Sequence, residues 1–197
     1  PLLLDGLIDE SLMVLGDRLK KPAAQVKAEV LEFFKARFEN QLISQGHPYD
    51  VVDSVLATGI SDITRTFKKI EAMESFKNHA DYAPLAVAFK RAGNIIKDFH
   101  GGSIDPAVFE TDEERVLFEA FEALQRKAAT LIDNDDYQGA LMEMALLRKP
   151  VDAFFDSVLV IANDDKIRYN RLSLLEKIFV FFRRIADFSK IVTEGKV

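Results

Sequence analysis

Apolar side chains recur at steps of three and four residues along almost the whole of this 197-residue chain. The clearest stripe lies within residues 81–99 and is formed by Leu85, Ala88, Phe89, Ala92, Ile95, Ile96 and Phe99. An α-helix turns once every 3.6 residues, so this spacing places apolar groups on one face, whereas a half-buried strand alternates every second residue. The pattern predicts an all-α fold, a bundle of helices.

Residues that favour helix ends divide this pattern into segments. We predict a helix from Pro22 to the stop at residues 46–48, then helices over residues 49–57, 62–73, 81–99, 111–132, 136–148, 151–161 and 165–192. Either Ser61 or Asp62 can cap the third of these, and Thr111 with Glu114 has the form of a capping box. The segment VLVIA (158–162) could form a strand, but its polar flanks favour the end of a helix.

The last predicted helix is apolar on nearly every side. Ile167, Leu174, Leu175, Ile178, Phe182 and Ile185 share one face, and three further phenylalanines cover much of the remaining circumference. A helix of this kind is usually central to its bundle. We therefore expect Ile178 and Phe182 to be buried.

Composition narrows the class of protein. The hydrophobic fraction of 48% is that of an ordinary globular domain, and we expect residues 1–197 to form a single helical domain. Cysteine is absent, which excludes disulfides and thiolate zinc sites and favours a reducing, cytoplasmic location. No apolar run is long enough to span a membrane. The chain begins with Pro1 rather than Met, so we expect a C-terminal fragment of a longer polypeptide.

Charge is distributed unevenly. The net charge of −6 argues against general affinity for nucleic acid. However, residues 65–97 carry 7 basic and 3 acidic side chains, and residues 166–197 carry 8 and 3, while residues 98–165 carry 5 and 16. These two basic segments are either solvated helix faces or, if they pack side by side, one positive patch.

Motifs for catalysis are missing. His100-Gly101-Gly102 lacks the spacing and the downstream lysine of a phosphate-binding loop. The three histidines are far apart in sequence, and no pair has the helical spacing of a zinc or di-metal site. We therefore expect no catalytic residue and no metal site in this chain.

Polar groups crowd the start of the last predicted helix, in DDKIRYNRLSLL (164–175). Arg171 lies within the apolar face, and Arg168 borders it. A guanidinium at such a place either pairs with a buried carboxylate or points out of the end of the helix towards a ligand.

These residues resemble a known family. Asp165-Lys166-Ile167-Arg168 stands where the DALR anticodon-binding domain of aminoacyl-tRNA synthetases has Asp-Ala-Leu-Arg. Three longer blocks, residues 31–57, 86–99 and 151–191, are similar to the C-terminal part of the bacterial glycyl-tRNA synthetase β-subunit family. The resemblance implies an all-α domain that faces the anticodon of tRNA(Gly), within a cytoplasmic enzyme of two α and two β subunits.

The same resemblance implies the chemistry of the whole enzyme. It joins glycine to tRNA with ATP and Mg²⁺, and its aminoacylation centre lies in the α subunit. No cofactor is then expected in this chain, and neither DNA nor a membrane is expected as a partner.

Unpaired anticodon bases are read by stacking and by hydrogen bonds to their pairing edges, so a few cations and amides suffice. We expect Arg91 and Lys90 to contact phosphates and Asn94 or Asn170 to read bases, with Arg171 equally suited to a structural salt bridge. The full set of predicted tRNA-binding residues is Lys90, Arg91, Asn94, Lys97, Arg168, Asn170 and Arg171. The alternative is a helical protein-interaction module without RNA binding, and a stand-alone helical enzyme is disfavoured by the missing motifs.

Overall fold

The computed structural model describes residues 3–193, which form α-helices and short 3₁₀ turns with no strand among them. The helices are α1 (Leu4–Leu15), α2 (Ala23–Ser44), α3 (Tyr49–Leu56), α4 (Ile63–Lys77), α5 (Tyr82–Ile95), α6 (Asp112–Asp133), α7 (Tyr137–Ala145), α8 (Arg148–Ser157) and α9 (Asp165–Phe182). The 3₁₀ turns are Gly16–Arg18, Pro106–Val108 and Phe188–Lys190. The all-α prediction is confirmed.

Several helix ends follow the predicted local chemistry. The Asp62 carboxylate accepts from the backbone N–H of Arg65 at the start of α4. Thr111 and Glu114 form the complete capping box of α6, and Asp164 accepts from two backbone N–H groups at the start of α9. Each cap supplies partners to N–H groups that the first helical turn leaves free.

Helix α9 lies in the middle of the bundle, and Ile178 and Phe182 are buried as predicted. The ring of Phe182 is 4.1 Å from that of Phe89 on α5 and 5.4 Å from that of Phe188, measured between centroids. Apart from Ile8 and Ala162, the buried apolar residues form one cluster that extends from Leu42 to Ile191. The centre of the fold is therefore the packing of α5 against α9.

The predicted end of this helix is wrong, because α9 stops at Phe182 instead of continuing to Val192. The chain turns after Arg183, and the backbone N–H of Asp187 donates to the Ser54 carbonyl over 2.8 Å. Ile185, Phe188 and Ile191 are nevertheless buried, as the apolar spacing required. Packing of the turned segment against α5 replaces the helical continuation.

Other boundaries also differ from prediction. Helix α5 ends at Ile95 rather than at residue 99, α7 ends at Ala145 rather than at residue 148, and α8 extends over Arg148–Ser157 instead of residues 151–161. Residues 158–162 are neither helix nor strand. Val158 and Val160 are buried in this segment while Leu159 and Ile161 are exposed, which is the alternation of an extended chain.

Candidate nucleic-acid interface

The predicted residues Lys90, Arg91 and Asn94 on α5, and Lys97 just beyond its end, are all exposed. They lie opposite the stripe that packs Phe89 into the core. The Arg91 guanidinium carbon is 4.5 Å from the centre of the Phe155 ring, which gives this cation a fixed position on α8. Helix α5 therefore carries a polar, outward-facing surface, which we call the α5 face.

Helices α5 and α9 are neighbours that run in opposite directions. Phe89 contacts Phe182, and Phe99, beyond the end of α5, contacts Tyr169 near the start of α9 with 5.3 Å between the ring centres. A Cβ added to Gly93 would come within 3.2 Å of the Phe179 ring between these two contacts. The fold thus brings the two basic segments together, with the start of α9 beside the end of α5.

Most cations of the two segments are engaged in ion pairs with acidic residues. Examples are Arg65 and Lys68 with Asp135, Lys77 with Asp50, and Arg184 with Asp133. Within residues 3–193, by contrast, no ion pair involves Lys90, Arg91, Lys97 or Lys166. Lys69 is also without an ion pair in this range, but it is half-buried beside the Tyr137 ring, so the exposed unpaired cations of the two segments lie on the α5 face and at the start of α9.

Arg168 is half-buried and attached to the preceding loop. Its Nη1 donates to the Ala162 carbonyl over 2.9 Å, and its Nη2 pairs with Asp165 one turn earlier on α9. The side chain therefore ties the start of α9 to the extended segment 158–162.

Asn170 is buried, with 3% of its surface exposed. Its Oδ1 accepts from the backbone N–H of Asp105 over 2.7 Å, and its Nδ2 donates to the Asp105 carbonyl over 3.1 Å. Both hydrogen-bonding ends of the amide are thus used within the protein. This placement leaves no free edge on the Asn170 side chain to read a base directly.

Arg171 forms an internal salt bridge, which is one of the two arrangements predicted for it. Its Nε and Nη2 donate to the two carboxylate oxygens of Glu114 over 2.9 and 3.1 Å. Nη2 also donates to Glu110 over 2.9 Å, and Nη1 donates to the Leu159 carbonyl over 3.0 Å. The Arg171 side chain is 5% exposed, so this placement leaves little of it open to tRNA.

The pKa of Glu114 reflects this pairing. Burial alone would raise the pKa of the carboxyl group, but hydrogen bonds from Arg171 and from the backbone N–H groups of Glu110 and Thr111 outweigh burial. The net result is a pKa below the usual 4.5. Glu114 therefore stays ionised, and it satisfies Arg171 and the start of α6 together.

The partners of these polar groups could not be found from sequence. Glu114 was predicted as half of a capping box, but its contact with Arg171 joins residues 57 positions apart. Asp105 is 65 positions from Asn170. Gly102 is a further unpredicted requirement, because a Cβ at this position would lie 2.0 Å from the Ser173 Oγ. The one indication of such contacts in the sequence was the excess of hydrogen-bonding groups at the start of an otherwise apolar helix.

Tyr169 is exposed between two segments, residues 101–105, which Asn170 holds, and residues 158–162, which Arg168 and Arg171 hold. Its hydroxyl donates to the Gly101 carbonyl over 3.2 Å, and 47% of its surface remains exposed. Lys166 lies one helical turn before Tyr169, and His100 is exposed in the neighbouring loop. This end of the bundle therefore combines an aromatic ring with cationic and polar groups.

Two classes of site find no support in the described residues. Between residues 3 and 193, no group of three histidine, aspartate or glutamate side chains could hold a metal ion. None of the helices in that same range has both the length and the apolar character needed to cross a membrane.

Known proteins resemble this chain over nearly its full length. It is 55% identical over 195 residues to the glycine–tRNA ligase beta subunit of Syntrophus aciditrophicus, covering 99% of the chain but 28% of that relative. It is 43% identical over 188 residues to the corresponding subunit of Geobacter metallireducens, covering 95% of the chain and 27% of that relative. The chain thus spans little more than a quarter of the length of these relatives.

A family model matches the part of the chain that contains the α5 face and all of α9. The match extends over residues 85–191, more than half of the chain, and its description is "DALR anticodon binding domain". The resemblance predicted from residues 165–168 is thereby confirmed, and this chain belongs to the DALR anticodon binding domain family.

Proposed function

We propose that this chain is the anticodon-binding part of a glycine–tRNA ligase β subunit and that it holds the anticodon loop of tRNA(Gly). The observation that carries the proposal is the family match over residues 85–191, together with relatives that bear the name of this ligase subunit. In this role the chain supports ATP-dependent glycylation of tRNA without supplying the catalytic centre.

The proposed RNA surface comprises the α5 face with Lys166 and Tyr169 at the start of α9. Its cations lack internal ion-pair partners within the described range, so phosphates can approach them without displacing a carboxylate. Tyr169 offers a partly exposed ring on which an unstacked base can lie. Lys90, Arg91 and Lys97 contact phosphates in this proposal.

Asn94 is the proposed base reader, because its amide is exposed on the same face. Glycine anticodons end in two cytosines, and the pairing edge of cytosine offers acceptors and an amino donor that an amide can match. Arg168, Asn170 and Arg171 act as positioning residues in this proposal. They fix residues 101–105 and 158–162 on either side of Tyr169 rather than touching RNA themselves.

The remaining features of the ligase concern the whole protein. We propose that the full-length chain assembles with an α subunit in a tetramer of two α and two β subunits in the cytoplasm, and that neither DNA nor a membrane is a partner. The ligase as a whole uses ATP and Mg²⁺. Among residues 3–193, no cluster of three histidine, aspartate or glutamate side chains could hold the metal ion, and the sequence contains no phosphate-binding loop.

The test uses the intact tetramer carrying Lys90→Ala or Asn94→Ala, with Arg126→Ala as the control for an exposed cation on α6. Charging kinetics are measured on normal and anticodon-altered tRNA(Gly), and glycyl-adenylate formation is measured separately. Lys90→Ala should weaken charging of both tRNAs alike and reduce the salt slope by about 0.7. Asn94→Ala should cost about 1–3 kcal/mol and relax discrimination against the altered anticodon.

Adenylate formation should be unchanged in every variant, since the chain is not proposed to carry the catalytic centre. If both variants charge both tRNAs as Arg126→Ala does, the α5 face is not the anticodon site. If tRNA binding is also insensitive to salt and to tRNA identity, the alternative of a protein-interaction module without RNA binding is favoured.

A further inference from the structure

The first two helices differ from the rest of the molecule in how little they bury. Ile8 is the buried residue of α1, and Leu42 is the buried residue of α2. A helix of 22 residues is about 33 Å long, and Leu42 lies in its last turn, so most of α2 extends away from the core. We call α1 and α2 together the N-terminal hairpin.

Large apolar side chains remain exposed on this hairpin. They are Leu3, Leu7, Met13, Val14, Leu15, Phe33 and Phe34. Met13 is 80% exposed, Val14 85% and Phe33 55%. Covering one such side chain stabilises a protein by about 1.5–3 kcal/mol, and monomeric proteins rarely expose so many together. This concentration of exposed apolar side chains points to a contact surface on the hairpin.

The two helices also form a groove between them. Its lining is almost entirely apolar and includes Leu7, Leu12, Val26, Val30 and Phe34. Two ion pairs lie nearby, Lys27 with Asp9 and Lys21 with Glu29, each over 2.7 Å. Because the groove lining contains no charged side chain, it suits an apolar polypeptide face and not a phosphate backbone.

The length of the relatives indicates which polypeptide covers the hairpin. The chain matches the Syntrophus aciditrophicus subunit over 99% of its own residues but 28% of that relative, so nearly three quarters of such a polypeptide lies outside these residues. A covalently linked segment is present at a high effective concentration, so it can occupy a small apolar surface that a free partner would bind weakly.

We propose that the N-terminal hairpin is the docking surface for the remainder of the same β-subunit polypeptide, which covers Phe33, Phe34 and Val14 with an apolar face of its own. This contact fixes the RNA-binding domain relative to the rest of the subunit. This proposal rests on membership of the family and on the length of the relatives, and not on the proposed anticodon surface.

The test measures thiol labelling rates in the full-length β subunit, in a background without other cysteines. Phe33→Cys and Val14→Cys report on the hairpin, and Val116→Cys on α6 is the control, since Val116 is 52% exposed and Phe33 55%. Both thiols of the hairpin should react on the order of tenfold more slowly than the control, because labelling requires local opening of a covered site. The slow rate should be independent of protein concentration.

Equal labelling rates at residues 33 and 116 in the full-length subunit would overturn the proposal. Protection that grows with concentration would assign the surface to a second copy of the chain instead. Protection that appears only after the α subunit or tRNA is added would assign it to that partner. Because this test contains no RNA-binding step, it can fail while the proposed anticodon function stands, and the reverse also holds.

Discussion

Helices α2 and α9 are similar in length but differ in what surrounds them. Helix α9 has 18 residues and buries 8 of them, including a guanidinium and an amide with complete internal partners. Helix α2 has 22 residues and buries one. Tertiary packing, rather than helix propensity, supplies most of the stability of a helix in a protein. The comparison therefore predicts a rigid region around α9 and a hairpin whose stability depends on a covering partner.

The largest expected effect is at the centre of α9. Phe182 is 1% exposed and packs against Phe89 and Phe188. Phe182→Ala should lower the free energy of unfolding by roughly 3–5 kcal/mol, because it removes a buried ring and leaves a cavity. Chemical denaturation of the 197-residue chain measures this. A loss below about 1 kcal/mol would contradict a central position for α9.

The buried salt bridge gives the next effect, and it depends on pH. Glu114→Gln should cost about 1.5–3 kcal/mol near neutral pH, because Arg171 loses its charged partner inside the protein. The folded-state pKa of Glu114 is lowered, so its stabilising contribution is fully present above the usual 4.5 and is lost as the pH falls through the folded-state pKa. The stability difference between parent and variant should therefore shrink below pH 4.5.

Stability curves of the two proteins from pH 7 downwards check this sign. Glu122→Gln is a suitable control, because Glu122 pairs with Lys177 on the surface, where both side chains are more than 40% exposed. A difference for Glu114→Gln that grows as the pH falls would mean that the carboxyl group is not held ionised by Arg171.

Asn170→Ala should cost less, about 1 kcal/mol, because the freed backbone groups of Asp105 lie in an exposed loop and can bind water. Its larger consequence should be local. Hydrogen exchange at residues 101–105 should accelerate, while exchange within α5 stays as in the parent. Asn94→Ala, on the exposed face of α5, is the matched control and should change neither. Unaltered exchange at Asp105 would show that the amide does not hold this loop.

Periodicity in the sequence predicted which residues share a helical face, and this part was correct for α4, α5, α6 and the first part of α9. It could not predict what covers a face. Arg171 and Asn170 were among the predicted tRNA-binding residues, with a salt bridge equally expected for Arg171, and the structure pairs them with Glu114 on α6 and with Asp105 in the loop before it. Phe33 and Phe34 lie in the helix predicted from Pro22, and both are exposed among the described residues. Both placements depend on long-range contacts, which local spacing does not encode.

The smallest expected effect on stability is that of Phe33→Ala, which can be compared directly with Phe182→Ala. Phe33 is 55% exposed, and its close contacts are Phe34 and the Arg37 guanidinium, 4.9 Å from the ring centre. Phe33→Ala in the 197-residue chain should therefore change the free energy of unfolding by no more than about 0.5 kcal/mol, as is usual for surface positions. The same substitution in the full-length β subunit should cost more if the hairpin is covered there, because burial then contributes about 25 cal/mol for each Å² of apolar surface removed from water. Denaturation of both proteins, parent and variant, supplies the two differences. If Phe33→Ala is neutral in both proteins, the hairpin is uncovered in the whole subunit as well. A large loss of stability in the 197-residue chain would mean that Phe33 already belongs to its core.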